Sequence, residues 1–431
     1  MTDCMNEKKE TERAAVISVL RSDGDAGQTE TSLDELERLV DTAGGETVVR
    51  MVQARQAPDV RTFLGKGKIA ELRDLCVNNL VTLVVADTEL TPSQIRNMED
   101  ILSSDTSVRV IDRTMLILDI FALHARTAEG RLQVELAQLR YTAPRLIGKG
   151  TALSRQGGAS GAIATRGPGE SKLETDRRVI KRKMNAIEAE LAEIEKRRAT
   201  QRKARQRSEI CSAAIVGYTN AGKSTLLNQL TDAGILAEDK LFATLDPTTR
   251  RFTLPGGEDV LLVDTVGFIR NLPHHLVRAF RSTLDEASFS DITIIVADAS
   301  DHECESQLDV TEKLLEELGA SGKPTLCLMN KCDRSGEAIP HPPAGIPSEN
   351  VFYVSAVTGE GLDGFISRLE ELVHEGSGLV TFDIPMSRQD VVAGIYRMAE
   401  VREISYGETV TVTALCDGYA KGHYAEWIKK Q

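Results

Sequence analysis

Between an apolar run at Ala213 to Val216 and a helical pattern at Ser224 to Leu230 lies Gly217-Tyr218-Thr219-Asn220-Ala221-Gly222-Lys223-Ser224, followed by Thr225. Two glycines with four residues between them, then Lys and Ser, between a strand and a helix, have the spacing of a phosphate-binding loop. The glycines let backbone N–H groups approach phosphate oxygens, Lys223 can neutralise β and γ oxygens, and the Ser224 hydroxyl can ligate Mg²⁺. A second run, Val260 to Val263, ends in Asp264-Thr265-Val266-Gly267. There the carboxylate can hold Mg²⁺ through water and the Gly267 N–H can meet a γ-phosphate. Taken alone, Asp264 could equally cap a helix.

The base is chosen elsewhere. The run Thr325 to Met329 ends in Asn330-Lys331-Cys332-Asp333. Guanine presents adjacent N1–H and N2–H₂ donors that one carboxylate accepts together, whereas adenine has an acceptor at N1 and no amino group at position 2. Asp333 therefore selects guanine, and a site left with unpaired polar groups by the wrong base discriminates by about 10⁴-fold or more. Asn330 can tie the base loop to the phosphate loop, and the Lys331 stem can cover the base. Val351 to Val354 closes with Ser355-Ala356, whose backbone N–H can reach guanine O6. Asp333 could be a surface charge and Ser355 a turn. Their order, each after a strand, instead points to a nucleotide site that takes GTP and GDP and hydrolyses the first to the second.

These residues need a sheet to position them. Five apolar runs, Ala213 to Val216, Val260 to Val263, Ile292 to Val296, Thr325 to Met329 and Val351 to Val354, read as buried parallel strands. The helical patterns between them predict a doubly wound α/β domain over 208–375. Ahead of it, 1–125 alternates apolar runs (Ala14 to Leu20, Thr47 to Val52, Leu80 to Ala86, Val108 to Ile111) with helical patterns such as Leu33 to Val40 and Ile95 to Leu102, a small α/β domain. In 126–207 a helical segment is broken by glycines from Gly148 to Gly169. Then Leu173, Ile180, Met184, Ile187, Leu191 and Ile194 mark a coiled-coil stripe. The two helices are expected to pair as a hairpin with Lys149, Arg155 and Arg166 at its glycine-rich tip, a candidate RNA contact; the plain alternative is a solvated linker. Residues 376–431 suffice for a small α+β domain without recognisable chemistry.

A formal net charge of −13 over 431 residues disfavours a nucleic-acid partner on average. The average hides a basic stretch: Lys172 to Arg207 carries 13 Lys or Arg against 6 Asp or Glu, a local +7 that leaves −20 elsewhere. Seven scattered cysteines without a Cys-x-x-Cys pair read as reduced structural thiols. No apolar run approaches the roughly 18 residues of a membrane span, and charged Met1 to Glu10 is no secretory signal, so a cytoplasmic protein is expected.

Gly167-Pro-Gly-Glu170-Ser-Lys-Leu-Glu-Thr-Asp-Arg-Arg178, the phosphate loop, Asp264-Thr-Val-Gly-Phe-Ile-Arg270 and Leu64-Gly-Lys-Gly-Lys68 together resemble the HflX-type GTPases. The resemblance covers all but the last 56 residues clearly. It implies a partner, the large ribosomal subunit with its RNA; some members split stalled or idle ribosomes. The other class of function is a GTP-regulated RNA-binding or assembly factor that splits nothing. Phe242-Ala243-Thr244-Leu245, with Asp246 after it, matches the family's switch segment, which makes Thr244 the expected second Mg²⁺ ligand and Thr248 the runner-up. Phe268 stands where Ras-like proteins carry the glutamine that orients water. A slow GTPase, stimulated by its ribosomal partner, is expected, with Lys223, Thr244 and Gly267 as the catalytic set; a nearby residue could instead replace the glutamine while Phe268 packs. Asn220 stands where potassium-dependent GTPases hold K⁺, or else bonds its own loop. A monomer is expected.

Replacing Asp333 with Asn should shift preference from guanine toward xanthine nucleotides, because the amide can donate to xanthine O2. Competition binding checks this, and an unchanged preference for GTP would remove Asp333 from base recognition.

Overall fold

A computed structural model describes residues 11–21, 26–103, 107–146, 168–206, 210–231, 241–242, 248–270, 276, 288–320, 322–334, 340–343, 345–376, 378–407, 409–416 and 423–429. The chain forms two compact bodies. One holds Met1–Glu193, Glu238–Asp246 and Ile269–Ser282; the other holds Ile194–Ala237, Pro247–Phe268 and Thr283–Gln431.

In the first body, β1 (Glu12–Arg21), β2 (Gly45–Arg55), β3 (Leu83–Ala86) and β4 (Arg109–Asp112) form a parallel sheet in the order β2-β1-β3-β4. Ala14, Ala15, Val16 and Ile17 are all fully buried, so β1 is covered on both faces and its sequence reads as an unbroken apolar run. Parallel strands require crossovers, and helices supply them: α1 (Ala26–Thr42), α2 (Lys66–Asn78) and α3 (Pro92–Leu102), with α4 (Arg113–His124) after β4. Thr91 starts α3 with a reciprocal capping box to Gln94, and Asp112 caps α4.

Asp112 then does more. Fully buried, it accepts hydrogen bonds from the N–H groups of Leu90 and Met115, each at 3.0 Å, from the Tyr141 hydroxyl and from Arg145 at 3.0 Å. Tyr141 and Arg145 belong to α5 (Ala128–Leu146), which is thereby fastened to the carboxyl end of β4. Burial, reinforced by the Asp112 charge, pushes the Tyr141 phenol well above its usual range. The long α6 (Pro168–Gln206) meets α5 through Arg140–Glu188 at 2.7 Å and Lys183–Glu135. Ile180, Met184, Ile187, Leu191 and Ile194 are less exposed than the residues around them, as the heptad stripe requires. Lys149, Arg155, Arg166 and the expected hairpin tip lie outside the described residues.

The second body contains β5 (Cys211–Gly217), α7 (Lys223–Thr231), β6 (Thr248–Thr253), β7 (Asp259–Asp264), β8 (Ile292–Asp298), α8 (Cys304–Glu317), β9 (Thr325–Asn330), β10 (Val351–Tyr353) and α9 (Leu362–Gly376). Its doubly wound sheet runs β10-β9-β8-β5-β7-β6 around a core that includes Ile215, Leu262, Ile294, Leu328 and Phe365. The five apolar runs are its parallel strands. A sixth, β6, lies antiparallel on the edge beside β7; its sequence, Thr-Thr-Arg-Arg-Phe-Thr, is too polar to read as a strand. Thr248, the alternative switch threonine, is the first residue of β6. Strand order reverses at β5, so the carboxyl ends of β5 and its neighbours frame the crevice where such sheets bind ligands.

The C-terminal part of this body is an α+β unit. Its antiparallel sheet runs β11 (Gly378–Pro385), β13 (Thr409–Cys416), β12 (Glu400–Tyr406), and α10 (Gln389–Met398) places Ile395 over Phe382, Ile384, Val410 and Val412. Cys76, Cys304 and Cys327 are buried free thiols, and burial pushes Cys327 up to about 12.

Candidate guanine-nucleotide site

Lys223 opens α7 directly after the glycine-rich turn. The residue is only 7% exposed, and its ammonium donates to the carbonyls of Gly217 at 3.1 Å and Tyr218 at 2.7 Å. Burial lowers its pKa to about 8, while the nearby Asp264 charge opposes the shift. The register of β5 against β7 pairs Ile215 with Asp264, which brings the end of β7 to the start of α7. There the Ser224 hydroxyl donates to Asp264 Oδ2 at 2.8 Å, and the Thr265 hydroxyl donates to the Ile215 carbonyl at 2.8 Å. A hydroxyl and a buried carboxylate held together are hard oxygen donors of the kind that suits Mg²⁺ with a phosphate ligand, so these residues fit that ion.

Beyond Thr265 the chain stays attached to the phosphate loop. Phe268 N–H donates to the Gly217 carbonyl at 3.0 Å, and Thr219 N–H donates to the Phe268 carbonyl at 2.8 Å. Gly267 directly precedes this doubly bonded residue, and a Cβ there would sit 2.8 Å from Thr219 Cα and 3.0 Å from Lys223 Nζ. Val266 is buried beside it at 4% exposure, and the Phe268 ring is 1% exposed. Phe268 therefore packs in the interior and cannot orient a water.

On the base side, Asn330 at the end of β9 is 2% exposed. Its Nδ2 donates to the Ala221 carbonyl at 2.8 Å, and its Oδ1 accepts from Ala356 N–H at 2.9 Å. A side chain at Gly222 would collide with Nδ2, its Cβ falling 2.2 Å away. Lys331 turns the chain with φ 63° and sets its ammonium 2.6 Å from Asp298 at the end of β8. Cys332 N–H donates to the Val354 carbonyl at 3.1 Å, and Asp333 is exposed to solvent.

Of the residues expected at guanine O6, Ser355 N–H donates to the Glu360 carbonyl at 3.0 Å and Ala356 N–H donates to Asn330. Phe242, φ 57°, is 2% exposed and packs edge-on against Phe121 with ring centroids 4.7 Å apart, both in the first body. Ala243, Thr244, Leu245 and Asp246 lie outside the described residues. Sequence reasoning passed over Asp298, although the Ala-Asp that ends the third apolar run was the available signal.

Three family models match in succession: "GTP-binding GTPase N-terminal" over residues 30–122, "GTP-binding GTPase Middle Region" over 124–205 and "50S ribosome-binding GTPase" over 212–331. A relative named GTPase HflX from Lacrimispora saccharolytica is 50% identical over 86% of this chain and 86% of its own length. The chain belongs to the HflX family of GTPases. The HflX protein of Caldanaerobacter subterraneus is 46% identical over 90% of this chain and 86% of its own, and that of Escherichia coli 40% over 86% of each. A crystal structure of a GTP-binding protein from Sulfolobus solfataricus with GDP matches at 25% identity, 85% of this chain and 99% of that one, with a TM-score of 0.44. As an HflX-family member the chain is a GTP-binding, GTP-hydrolysing, ribosome-associated enzyme that uses Mg²⁺ with its nucleotide. No helix among the described residues is long and apolar enough to cross a membrane.

Asn330→Ala removes two buried hydrogen bonds and leaves the Ala221 carbonyl and Ala356 N–H without them. At about 1–3 kcal/mol for each unsatisfied group, GTP and GDP affinity should fall together by at least about tenfold. Titration of a fluorescent GDP measures this, and wild-type affinity would show that the joint does not shape the site.

Proposed function

We propose that this GTPase binds the large ribosomal subunit through ribosomal RNA and, in its GTP state, separates idle or stalled ribosomes into subunits. The observation that carries the reading is the match of residues 212–331 to the 50S ribosome-binding GTPase model. The basic stretch from Lys172 to Arg207, much of it on α6, supports it as a complement to RNA phosphate. Lys149, Arg155 and Arg166 extend that charge into the glycine-rich segment. The protein works in the cytoplasm as a monomer.

Within the site, Lys223 neutralises β and γ oxygens, the Gly267 N–H meets the γ-phosphate, and Asp333 accepts from guanine N1–H and N2–H₂. Ser224, Asp264 and, in the GTP state, Thr244 would hold Mg²⁺. When bound, the ion draws charge from the phosphate oxygens. Ala356 supports the base loop by donating to the Asn330 amide, and Ser355 by closing its own turn onto Glu360. Asn220 adopts φ 62°, a left-handed conformation that Asn tolerates, and its carboxamide makes no hydrogen bond among the described residues. That geometry supports its use as a K⁺ ligand over bonding within its own loop.

Light scattering of intact ribosomes should fall on adding wild-type protein with GTP or a non-hydrolysable analogue, but not with GDP. Replacing Lys149, Arg155 and Arg166 together by Ala should weaken binding and reduce the salt slope by up to about three units. Binding without loss of scattering would favour an assembly or RNA-binding role instead. Hydrolysis should also run faster in K⁺ than in Na⁺ at equal ionic strength, and equal rates would dismiss the cation role of Asn220.

A further inference from the structure

Thr219 occupies the middle of the phosphate loop, is 5% exposed, and buries its hydroxyl oxygen without a hydrogen-bond partner among the described residues. A buried, unsatisfied hydroxyl costs on the order of 1–3 kcal/mol in folding. Valine has nearly the same shape and would avoid the cost. The hydroxyl is therefore a group held ready for something the folded chain alone does not provide.

Its surroundings say where that group is needed. Thr219 is pinned by its N–H to the Phe268 carbonyl at 2.8 Å, and the next residue, Asn220, turns away with φ 62°. A Cβ built on Gly267 would lie 2.8 Å from both Thr219 Cα and Cγ2 and 3.0 Å from Lys223 Nζ. The Thr219 side chain, Gly267 and the Lys223 ammonium thus converge on one point. Rotation about one side-chain torsion exchanges the threonine methyl for its hydroxyl at that point.

In hydrolysis, water adds to the γ-phosphorus while the bond to the β–γ bridging oxygen breaks and its electron pair leaves with GDP. The water's proton departs with phosphate or to solvent. Charge accumulates on the γ and bridging oxygens, and a donor placed there accelerates the step. This chain has Phe268 buried where a glutamine would assist, so polar contact has to come from another group.

We infer that Thr219 is a catalytic residue whose hydroxyl, keeping its own proton, donates a hydrogen bond to a γ-phosphoryl oxygen of GTP as the bond breaks. The inference rests on this loop being the GTP site. It goes beyond the backbone and lysine contacts of the phosphate loop, because it assigns work to a side chain at one of the variable positions.

The test compares wild type, Thr219→Val and Thr219→Ser in single-turnover GTP hydrolysis, together with affinities for GDP alone and for GDP with aluminium fluoride. Val should slow hydrolysis by about 100-fold, the lower end of what one lost transition-state donor costs, and lose the gain in affinity from aluminium fluoride. GDP affinity should stay within about threefold, since GDP lacks the γ group, and Ser should restore both properties. Hydrolysis by Val at the wild-type rate overturns the proposal. So does a Ser variant as slow as Val, which would make the methyl's packing the cause. A matching loss of GDP affinity in Val also overturns it, by assigning the hydroxyl to the fold of the loop. Failure of wild type to bind GDP would instead remove the GTP-site reading beneath it.

Discussion

The Asn330 carboxamide joins two loops that leave the sheet from different strands. β9 and β5 are separated by β8, yet Nδ2 reaches the Ala221 carbonyl of the phosphate loop while Oδ1 accepts from Ala356 in the loop after β10. Both bonds are buried, so neither can be exchanged for water without cost. Much of the base side follows from this joint. Gly222 must lack a side chain because Nδ2 occupies its Cβ position. The chain then reverses sharply at Lys331, and Asp298 receives the ammonium that this turn projects. Asp333, two residues beyond Lys331, is left facing solvent where a base can be read.

The phosphate side is organised by a second constraint, the pairing of Phe268 with the loop from Gly217 to Thr219. That pairing extends the parallel register of β5 and β7 past the end of the strands. It sets Gly267 against Thr219 and Lys223, and it buries Phe268. A bulky side chain can stand where a polar one is usual because its backbone, rather than its ring, carries the positioning. The cost is one fewer group for hydrolysis, which makes the unsatisfied hydroxyl of Thr219 the natural place to look for a replacement.

Much of this was legible in the sequence, for physical reasons. Strands covered on both faces are uniformly apolar, so β5, β7, β8 and β9 stand out, and the motifs sit where they end. What was hidden lacks such a signal. β6 is a half-exposed edge strand of polar residues, and α4 is buried at Leu116, Ile117, Leu118, Ile120 and Phe121, which erases the one-sided stripe of an amphipathic helix. The direction of the Ser355 and Ala356 N–H groups depends on partners, Glu360 and Asn330, that only the folded loop brings into reach. Phe242 matched a switch segment, but its side chain answers to Phe121, more than a hundred residues earlier in the chain.

One site in the second body should take guanine nucleotides with Mg²⁺. Calorimetric titration of the full chain with GDP and with ADP, each with and without Mg²⁺, tests it most directly. The expected result is one GDP per chain, no ADP binding within about 10⁴-fold of the GDP affinity, and tighter GDP binding when the ion is present. Comparable affinity for ADP, or GDP binding that survives loss of the phosphate loop through Lys223→Ala unchanged, would contradict it.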